Sequence, residues 1–265
     1  MRVALFQGPS AGGDVATNIA AIDRAARLTA DAGAGIVVTP EMSATGYHIG
    51  ALTARRAEPA DGPLHRTIAS IAVKHGVAII YGYPEQYLGD IFNTVSAVGP
   101  DGKILGAHRK THLYGDLDRS QFIAGDTLVS QFEFGGMTCG LAICYDIEFP
   151  EVARAHADSG TDVLFVPTAL MAPFEVIGRV VVPARAYENQ FYVVYVNRCD
   201  TEKELSYCGL SCVAGPDGAD VVRAGAGEEF LVADIDPAEL ITGRAINTHL
   251  VDRRGDLYPV GQQEP

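Results

Sequence analysis

Short runs of β-branched residues alternate with longer alanine-rich stretches along most of this chain, and this alternation limits the folds open to it. The expected strands cover residues 3–7, 35–39, 77–83, 92–98, 104–109, 138–143, 163–166, 192–197, 209–214 and 219–224. The expected helices cover residues 15–32, 63–75, 148–158 and 175–189. Gly-Pro-Asp-Gly occurs at 99–102 and again at 215–218, each time between two strands, which predicts two hairpin turns. Strands that alternate with helices, together with hairpins, predict one α/β domain with mixed sheets over residues 1–265.

Charge and cysteine content exclude several classes of partner. The chain has 20 Lys and Arg against 33 Asp and Glu, a formal net charge of −13, which repels phosphate backbones and anionic lipid surfaces. We therefore expect no nucleic acid partner and no membrane partner, and no run of eighteen apolar residues occurs. The 5 cysteines are an odd number, and residues 1–9 lack a long apolar segment of the secretory type. Reduced thiols and a cytoplasmic location are the expectation, with no disulfide framework and no zinc site.

Three reactive side chains each follow an apolar strand. Glu41 comes after residues 35–39, Lys110 after residues 104–109 and Cys144 after residues 138–143. The crevice of an open α/β sheet lies outside the carboxyl ends of its strands, so the three groups could meet there. A thiolate nucleophile, a carboxylate that carries protons and an ammonium that stabilises an oxyanion would form an acyl-transfer site. Taken singly, each residue also has a common structural interpretation, as a buried thiol or a solvated charge.

Longer motifs around these residues resemble the nitrilase superfamily of carbon–nitrogen hydrolases. Residues 38–42 (Val-Thr-Pro-Glu-Met), with Gly46 and Tyr47, are similar to the first signature of that family. Residues 108–113 (His-Arg-Lys-Thr-His-Leu) are similar to the second, and residues 140–151 (Gly-Leu-Ala-Ile-Cys-Tyr-Asp-Ile-Glu-Phe-Pro-Glu) to the third. The stretches 183–190 and 209–211 also look like this family. The likeness runs from about residue 2 to 255 with the motifs in the family's order.

The resemblance implies a four-layer αββα sandwich with two mixed β-sheets and a Glu-Lys-Cys triad of Glu41, Lys110 and Cys144. Lys110 and the backbone N–H of Tyr145 would hold the oxyanion. Many members have a further glutamate after the lysine, but this chain has Asp116 and Asp118 in that loop. Counted back from Gly125, Asp118 lies nearest the family position, and a solvated acidic loop is the alternative for both aspartates.

Other polar residues near the motifs have mainly structural interpretations. Cys139 lies five residues before Cys144, so its side chain is expected to face the other side of the strand and to be buried. His112 is expected to brace the loop after Lys110. Arg185 and Glu188 are three residues apart on a predicted helix, which is typical of a structural ion pair. Residues 197–198 (Asn-Arg) end a strand, and whether they face the pocket is left open.

The residue after the cysteine indicates the branch of the family. True nitrilases typically have Trp-Glu there, whereas this chain has Tyr145 and Asp146 and contains no tryptophan, which resembles the amidase and carbamoylase branches. Residues 79–85, 117–120 and 207–209 are similar to 5-aminopentanamidases of the aliphatic amidase branch. We therefore expect hydrolysis of a short linear amide, such as an ω-amino amide, without metal or cofactor and in a homodimer or larger homo-oligomer. The alternatives are an N-carbamoyl amine hydrolase and a catalytically silent binding protein with the same fold.

Overall fold

The structure is a computed structural model that describes residues 1–258, and it contains two six-stranded sheets. Residues 259–265 of the predicted domain lie outside this range. The first half contains β1 (Arg2–Gln7), α1 (Val15–Asp31), β2 (Ile36–Val38), α2 (Leu52–Arg56), α3 (Pro63–His75), β3 (Ala78–Tyr87), β4 (Asp90–Val98), β5 (Ile104–Arg109) and α4 (Gly115–Arg119). The second half contains β6 (Ser130–Phe134), β7 (Met137–Leu141), α5 (Pro150–Asp158), β8 (Val163–Pro167), α6 (Val182–Asn189), β9 (Tyr192–Val196), β10 (Thr201–Glu202), β11 (Leu205–Ser206), β12 (Cys212–Ala214), β13 (Asp220–Arg223), β14 (Glu229–Asp234), α7 (Pro237–Ile246) and α8 (His249–Asp252).

Both sheets are mixed and are built in the same way. The first has the strand order β14-β1-β2-β3-β4-β5, and its three strands β1, β2 and β3 are parallel. The second has the order β13-β12-β9-β8-β7-β6, with β7, β8 and β9 parallel. The outer strands of each sheet run antiparallel to their neighbours. Each sheet therefore has a parallel centre whose strands end at one edge.

The alternation of side chains along each strand produces four layers. In β1, Val3 and Leu5 enter a core shared with β8 and β9 of the other sheet, so the two sheets pack face to face. Ala4 and Phe6, from the opposite face of β1, pack instead against α1 and α3. The outer face of the second sheet is covered in the same way by α5 and α6. The predicted αββα sandwich is confirmed, because both faces of both sheets are buried.

The two Gly-Pro-Asp-Gly turns lie where they were predicted. The N–H of Gly102 donates to the carbonyl of Gly99 at 2.9 Å between β4 and β5. The N–H of Gly218 donates to the carbonyl of Gly215 at 2.9 Å between β12 and β13. Both turns join antiparallel neighbours.

Several predicted element boundaries were wrong. The helix predicted over 148–158 begins at Pro150, because residues 144–148 form a separate 3₁₀ turn. The helix predicted over 175–189 consists of a π-helical turn, Ile177–Val181, followed by α6. The strand predicted over 209–214 is confined to β12. Strands β6 and β14 were not predicted. Each is an edge strand that pairs over its whole length, β6 with β7 and β14 with β1. Within residues 1–258, no helix has both the length and the apolar character needed to cross a bilayer.

Candidate active site

Three strand ends bring the predicted reactive residues to one edge of the sandwich. Glu41 follows the parallel strand β2, and Cys144 follows the parallel strand β7 of the other sheet. Lys110 comes directly after β5. Because the carboxyl ends of parallel strands meet at the same edge, loops from both sheets converge on one crevice. The fold therefore brings together groups that are far apart in the sequence.

Glu41 is buried and uses only one of its two carboxylate oxygens. Its Oε1 accepts hydrogen bonds from Asn93 Nδ2 at 2.7 Å and from Lys110 Nζ at 2.8 Å. Its Oε2 is buried and has no hydrogen-bond partner within residues 1–258. Burial raises the pKa of Glu41, and the Lys110 ammonium, which lowers it, offsets only part of this effect. An open oxygen and a raised pKa suit a group that accepts and returns a proton.

The backbone around Glu41 is held by a close approach to β3. A Cβ atom at Gly82 would lie 2.4 Å from the amide nitrogen of Met42, so only glycine fits there. The N–H of Ala44 also donates to the carbonyl of Gly82 at 3.1 Å. The loop that carries the carboxylate is thus fixed against the sheet.

Lys110 is fully buried between two carboxylates. Its Nζ donates to Glu41 Oε1 at 2.8 Å and to Asp118 Oδ2 at 2.7 Å, and both side chains of the second pair are 0% exposed. Burial lowers the pKa of Lys110, but the two neighbouring carboxylates outweigh this and raise it well above its ordinary value. Lys110 therefore stays an ammonium, the form that can stabilise a developing oxyanion.

Asp118 is the aspartate that the structure places beside the lysine. Its Oδ1 accepts the hydroxyl hydrogen of Tyr47 at 2.7 Å, and its Oδ2 also accepts the N–H of Tyr114 at 2.8 Å. Asp116 lies on the exposed side of the same short helix, α4, away from this cluster. Of the two alternatives for the assisting carboxylate, only Asp118 contacts Lys110.

Cys144 begins the 3₁₀ turn of residues 144–148. Its φ is +45°, a left-handed conformation that is uncommon for a residue other than glycine and that often occurs at functional sites. The turn reverses the chain after β7 and directs the thiol to a cavity. Tyr145 is near the start of this turn, where backbone N–H groups have no partner within the helix. The backbone N–H of Tyr145 can therefore donate a hydrogen bond to an oxyanion formed at Cys144.

The resting thiol of Cys144 is protonated. Burial raises the pKa of Cys144, and the negative charge of Glu41 raises it further, while the Lys110 ammonium lowers it. Since the thiolate is the nucleophilic form, a base must remove the proton as the thiol attacks. Both charges act on the thiol, so the structure brings together the three residues of the predicted triad.

Asp146 connects the cysteine turn to the lysine loop, and sequence reasoning assigned it no role. Its Oδ2 accepts the N–H of Ile143 at 3.0 Å and contacts His108 Nε2 at 3.3 Å. Its Oδ1 accepts the Thr111 hydroxyl at 2.8 Å and the N–H of His112 at 2.9 Å. These hydrogen bonds hold the pKa of Asp146 well below its ordinary value despite burial. The buried carboxylate therefore ties residues 108–112 to the segment that presents Cys144.

Asn93 and Tyr47 were also missed. Asn93 lies inside β4, and Tyr47 belongs to the first signature but was assigned no role of its own. The side chain of Asn93 orients Glu41, and the backbone carbonyl of Asn93 accepts the backbone N–H of Lys110 at 2.8 Å. The available signals were the polar residues within β4 for Asn93 and membership of the first signature for Tyr47.

The remaining candidates have structural roles. Cys139 is buried between the sheets, as predicted, and burial raises its pKa to about 12. Arg185 forms the expected ion pair with Glu188 at 2.9 Å. Arg198 is buried and forms ion pairs with Asp200 and Glu202. Asn197 is also buried and its side chain binds the backbone of Leu170 and Gly209, and neither residue lines the cavity over Cys144.

A small cavity of about 200 Å³ lies over Cys144. Its wall is mostly aromatic and aliphatic, with one acidic side chain. The lining residues are Tyr47, Tyr114, Cys144, Tyr145, Glu148, Ala169, Leu170, Met171 and Phe174. This volume admits a short, narrow molecule rather than a bulky one.

Comparison with known proteins identifies the class. The model of the carbon–nitrogen hydrolase family matches residues 2–245. The chain belongs to this family, and it is an amidase of the nitrilase superfamily.

Individual relatives cover nearly the whole chain. A hydrolase in the pqqF 5′ region of Pseudomonas protegens is 44% identical over 97% of this chain and 90% of its own length. An N-carbamoylputrescine amidase of Solanum lycopersicum is 34% identical over 93% of this chain and 90% of its own length. The solved NitN amidase of Nesterenkonia sp. AN1 superimposes with a TM-score of 0.88 at 31% identity, over 97% of this chain and 98% of that one. A variant of that amidase carries the acetamide moiety of fluoroacetamide covalently on its active-site cysteine.

Proposed function

We propose that this enzyme hydrolyses short linear aliphatic amides to a carboxylate and ammonia, and that it prefers those with a terminal amine, such as 5-aminopentanamide. The observation that carries the proposal is the buried cluster of Glu41, Lys110 and Asp118, whose charges act on Cys144 in the cavity wall. The small volume supports a short substrate, and the acidic side chain in its wall supports a cationic one.

The first half-reaction forms a thioester. Glu41 removes the proton from the Cys144 thiol as sulfur attacks the amide carbon. Lys110 and the N–H of Tyr145 stabilise the oxyanion, an effect worth about 3 kcal/mol per donor. The tetrahedral intermediate then collapses, the carbon–nitrogen bond breaks, and Glu41 returns the proton to the departing ammonia.

The second half-reaction releases the acid. Glu41 takes a proton from water, which attacks the thioester carbon, and the carbon–sulfur bond breaks with the proton returned to sulfur. Asp118 keeps Lys110 in place in both steps through the 2.7 Å ion pair, so we assign it a positioning role. Glu41 is again unprotonated after each half-reaction, and the Cys144 thiol is regenerated at the end of the second.

A second candidate is hydrolysis of an N-carbamoyl amine. It is favoured by the similarity to an N-carbamoylputrescine amidase and by the same acidic cavity. The chemistry at Cys144 would be identical, but the products would be an amine, ammonia and carbon dioxide. Carbon dioxide release therefore separates the two candidates.

The test measures ammonia release from 5-aminopentanamide, hexanamide and N-carbamoylputrescine, with Cys144→Ala and Cys139→Ala as a matched pair. The first variant should lose turnover, because a methyl group cannot attack a carbonyl carbon. The second should retain most activity, because Cys139 is buried away from the site. An active Cys144→Ala protein would contradict the mechanism. Turnover of N-carbamoylputrescine alone, with release of carbon dioxide, would favour the second candidate.

We also propose self-association in a homodimer or larger oligomer. Val176 and Val180 are exposed apolar side chains in the segment that leads into α6, which supports burial of this region against a second copy.

A further inference from the structure

One carboxylate in the cavity wall has no partner. Glu148 is half-buried and ends the 3₁₀ turn that begins at Cys144. Within residues 1–258, its side chain forms no ion pair, while Lys110 is held by Glu41 and Asp118. Arg185, on the other side, donates to Glu188 and to the backbone carbonyls of residues 147 and 148. The carboxylate thus faces the cavity without a counter-ion.

Such a group is costly for the free enzyme. Burial raises the pKa of Glu148, and the charges of Lys110 and Arg185 lower it without compensating fully. A partly desolvated carboxylate gains most from a ligand that supplies a cation with N–H donors. The side chain therefore favours an ammonium group over a neutral or an anionic end.

The rest of the wall fits an alkylammonium. Tyr114 lies with its ring centroid 5.3 Å from that of Tyr145 and 6.4 Å from that of Phe174, in edge-to-face arrangements. All three rings line the cavity beside Glu148. Aromatic faces attract cations and also cover methylene groups, so they can hold both parts of an amine-bearing chain.

We propose that Glu148 binds the terminal ammonium of the substrate and that Tyr114, Tyr145 and Phe174 enclose its alkyl chain. The inference rests on the proposed function and names its specificity-determining residue. Glu148 comes four residues after Cys144, roughly 8 Å along the axis of a 3₁₀ turn. The amide of one substrate would then bind at Cys144, where the turn begins, and its ammonium at Glu148, where the turn ends. The substrate class is therefore a short amide or carbamoyl compound with a primary amine at its far end.

The experiment compares kcat/KM for 5-aminopentanamide and hexanamide, which have equal length and differ in charge. The ratio of the two should fall about tenfold or more in Glu148→Gln, as for the loss of a hydrogen bond to a charged group. Glu151→Gln is the matched control, because it removes the same charge from an exposed position in the first turn of α5. Its ratio should match that of the wild-type enzyme. Glu148→Arg should shift preference towards glutaramate, which carries a carboxylate in place of the amine.

Binding is measured separately from turnover. In a Cys144→Ala background, calorimetry should detect 5-aminopentanamide, and adding Glu148→Gln should weaken binding by a similar factor. An unchanged ratio in Glu148→Gln, or an equal fall in Glu151→Gln, would overturn the role of Glu148 while leaving the amidase proposal intact. Glu148-dependent binding without ammonia release by the wild-type enzyme would contradict the proposed reaction and support the ammonium site.

Discussion

Glu41 and Asp146 are both buried carboxylates within the same site, yet they are surrounded differently. Both oxygens of Asp146 receive donors, from Thr111 and His112 on one side and from Ile143 and His108 on the other. Among residues 1–258, donors reach Glu41 at Oε1 but not at Oε2. The pKa of Asp146 is accordingly lowered, and that of Glu41 is raised.

The difference separates a group that moves protons from one that fixes geometry. A carboxylate whose lone pairs are all used cannot accept a proton without losing hydrogen bonds, whereas an open oxygen can. The raised pKa of Glu41 brings it nearer to the range where proton transfer is efficient. Asp146 instead holds together the two loops that carry Lys110 and Cys144. Burial of a carboxylate therefore does not by itself indicate function.

The largest effect in this comparison is expected for Glu41→Gln. The amide can still accept from Lys110 but cannot carry a proton, so kcat for ammonia release should fall by about 10³-fold or more. Thermal unfolding checks that the variant is folded, so that the fall in kcat reports loss of the proton carrier rather than loss of the fold. Activity within tenfold of the wild-type enzyme would remove Glu41 from the proton transfers.

The next largest effect on kcat is expected at Lys110, the cation between Glu41 and Asp118. Lys110→Arg keeps the charge but replaces a compact ammonium with a wide planar group in a fully buried space. We expect kcat to fall by at least about a hundredfold, the lower end for loss of an oxyanion donor. Lys103→Arg, at an exposed position, is the control and should retain activity. A near-normal kcat for Lys110→Arg would mean that any cation suffices at this position.

Most of the fold was predictable because its strands and helices have clear local patterns. The six parallel strands at the centres of the two sheets and the Gly-Pro-Asp-Gly turns are local features, and these were located correctly. Strand β14 was missed because its stability comes from pairing with β1, whose Arg2 lies opposite Asp234 at the other end of the chain. The 3₁₀ turn was misread as part of α5, since Pro150 rather than Glu148 begins the helix.

The site was only partly predictable. Glu41, Lys110 and Cys144 were picked out by their place after strands and by whole motifs, not by their spacing. Counting back from Gly125 already favoured Asp118 over Asp116, and the structure adds that Asp118 forms an ion pair with Lys110. Asp146 lies within a quoted motif, but its role depends on donors from residues 108–112, which the sequence cannot place beside it. Contacts between residues of the two sheets could not be predicted from the sequence.

The smallest effect on activity is expected for Asp146→Asn, which tests the other side of the comparison. The new amide nitrogen would face at least one donor that Asp146 now satisfies, so the free energy of unfolding should fall by about 1–3 kcal/mol at pH 7. Activity should fall by about tenfold, through displacement of the loops rather than loss of a reacting group. Urea unfolding and ammonia release measure the two quantities.

The pH dependence of that stability loss identifies its cause. Because the pKa of Asp146 is lower in the folded state than its unfolded value of about 3.9, its ionised form contributes stability above that pH. This contribution is lost as the pH falls through and below that value. The stability gap between wild-type and Asp146→Asn proteins should therefore be widest near pH 7 and should narrow below about pH 4. Asp116→Asn, at an exposed position on α4, should show no gap at any pH. A gap of constant size for Asp146→Asn would mean that packing rather than the charge of the carboxylate stabilises the two loops.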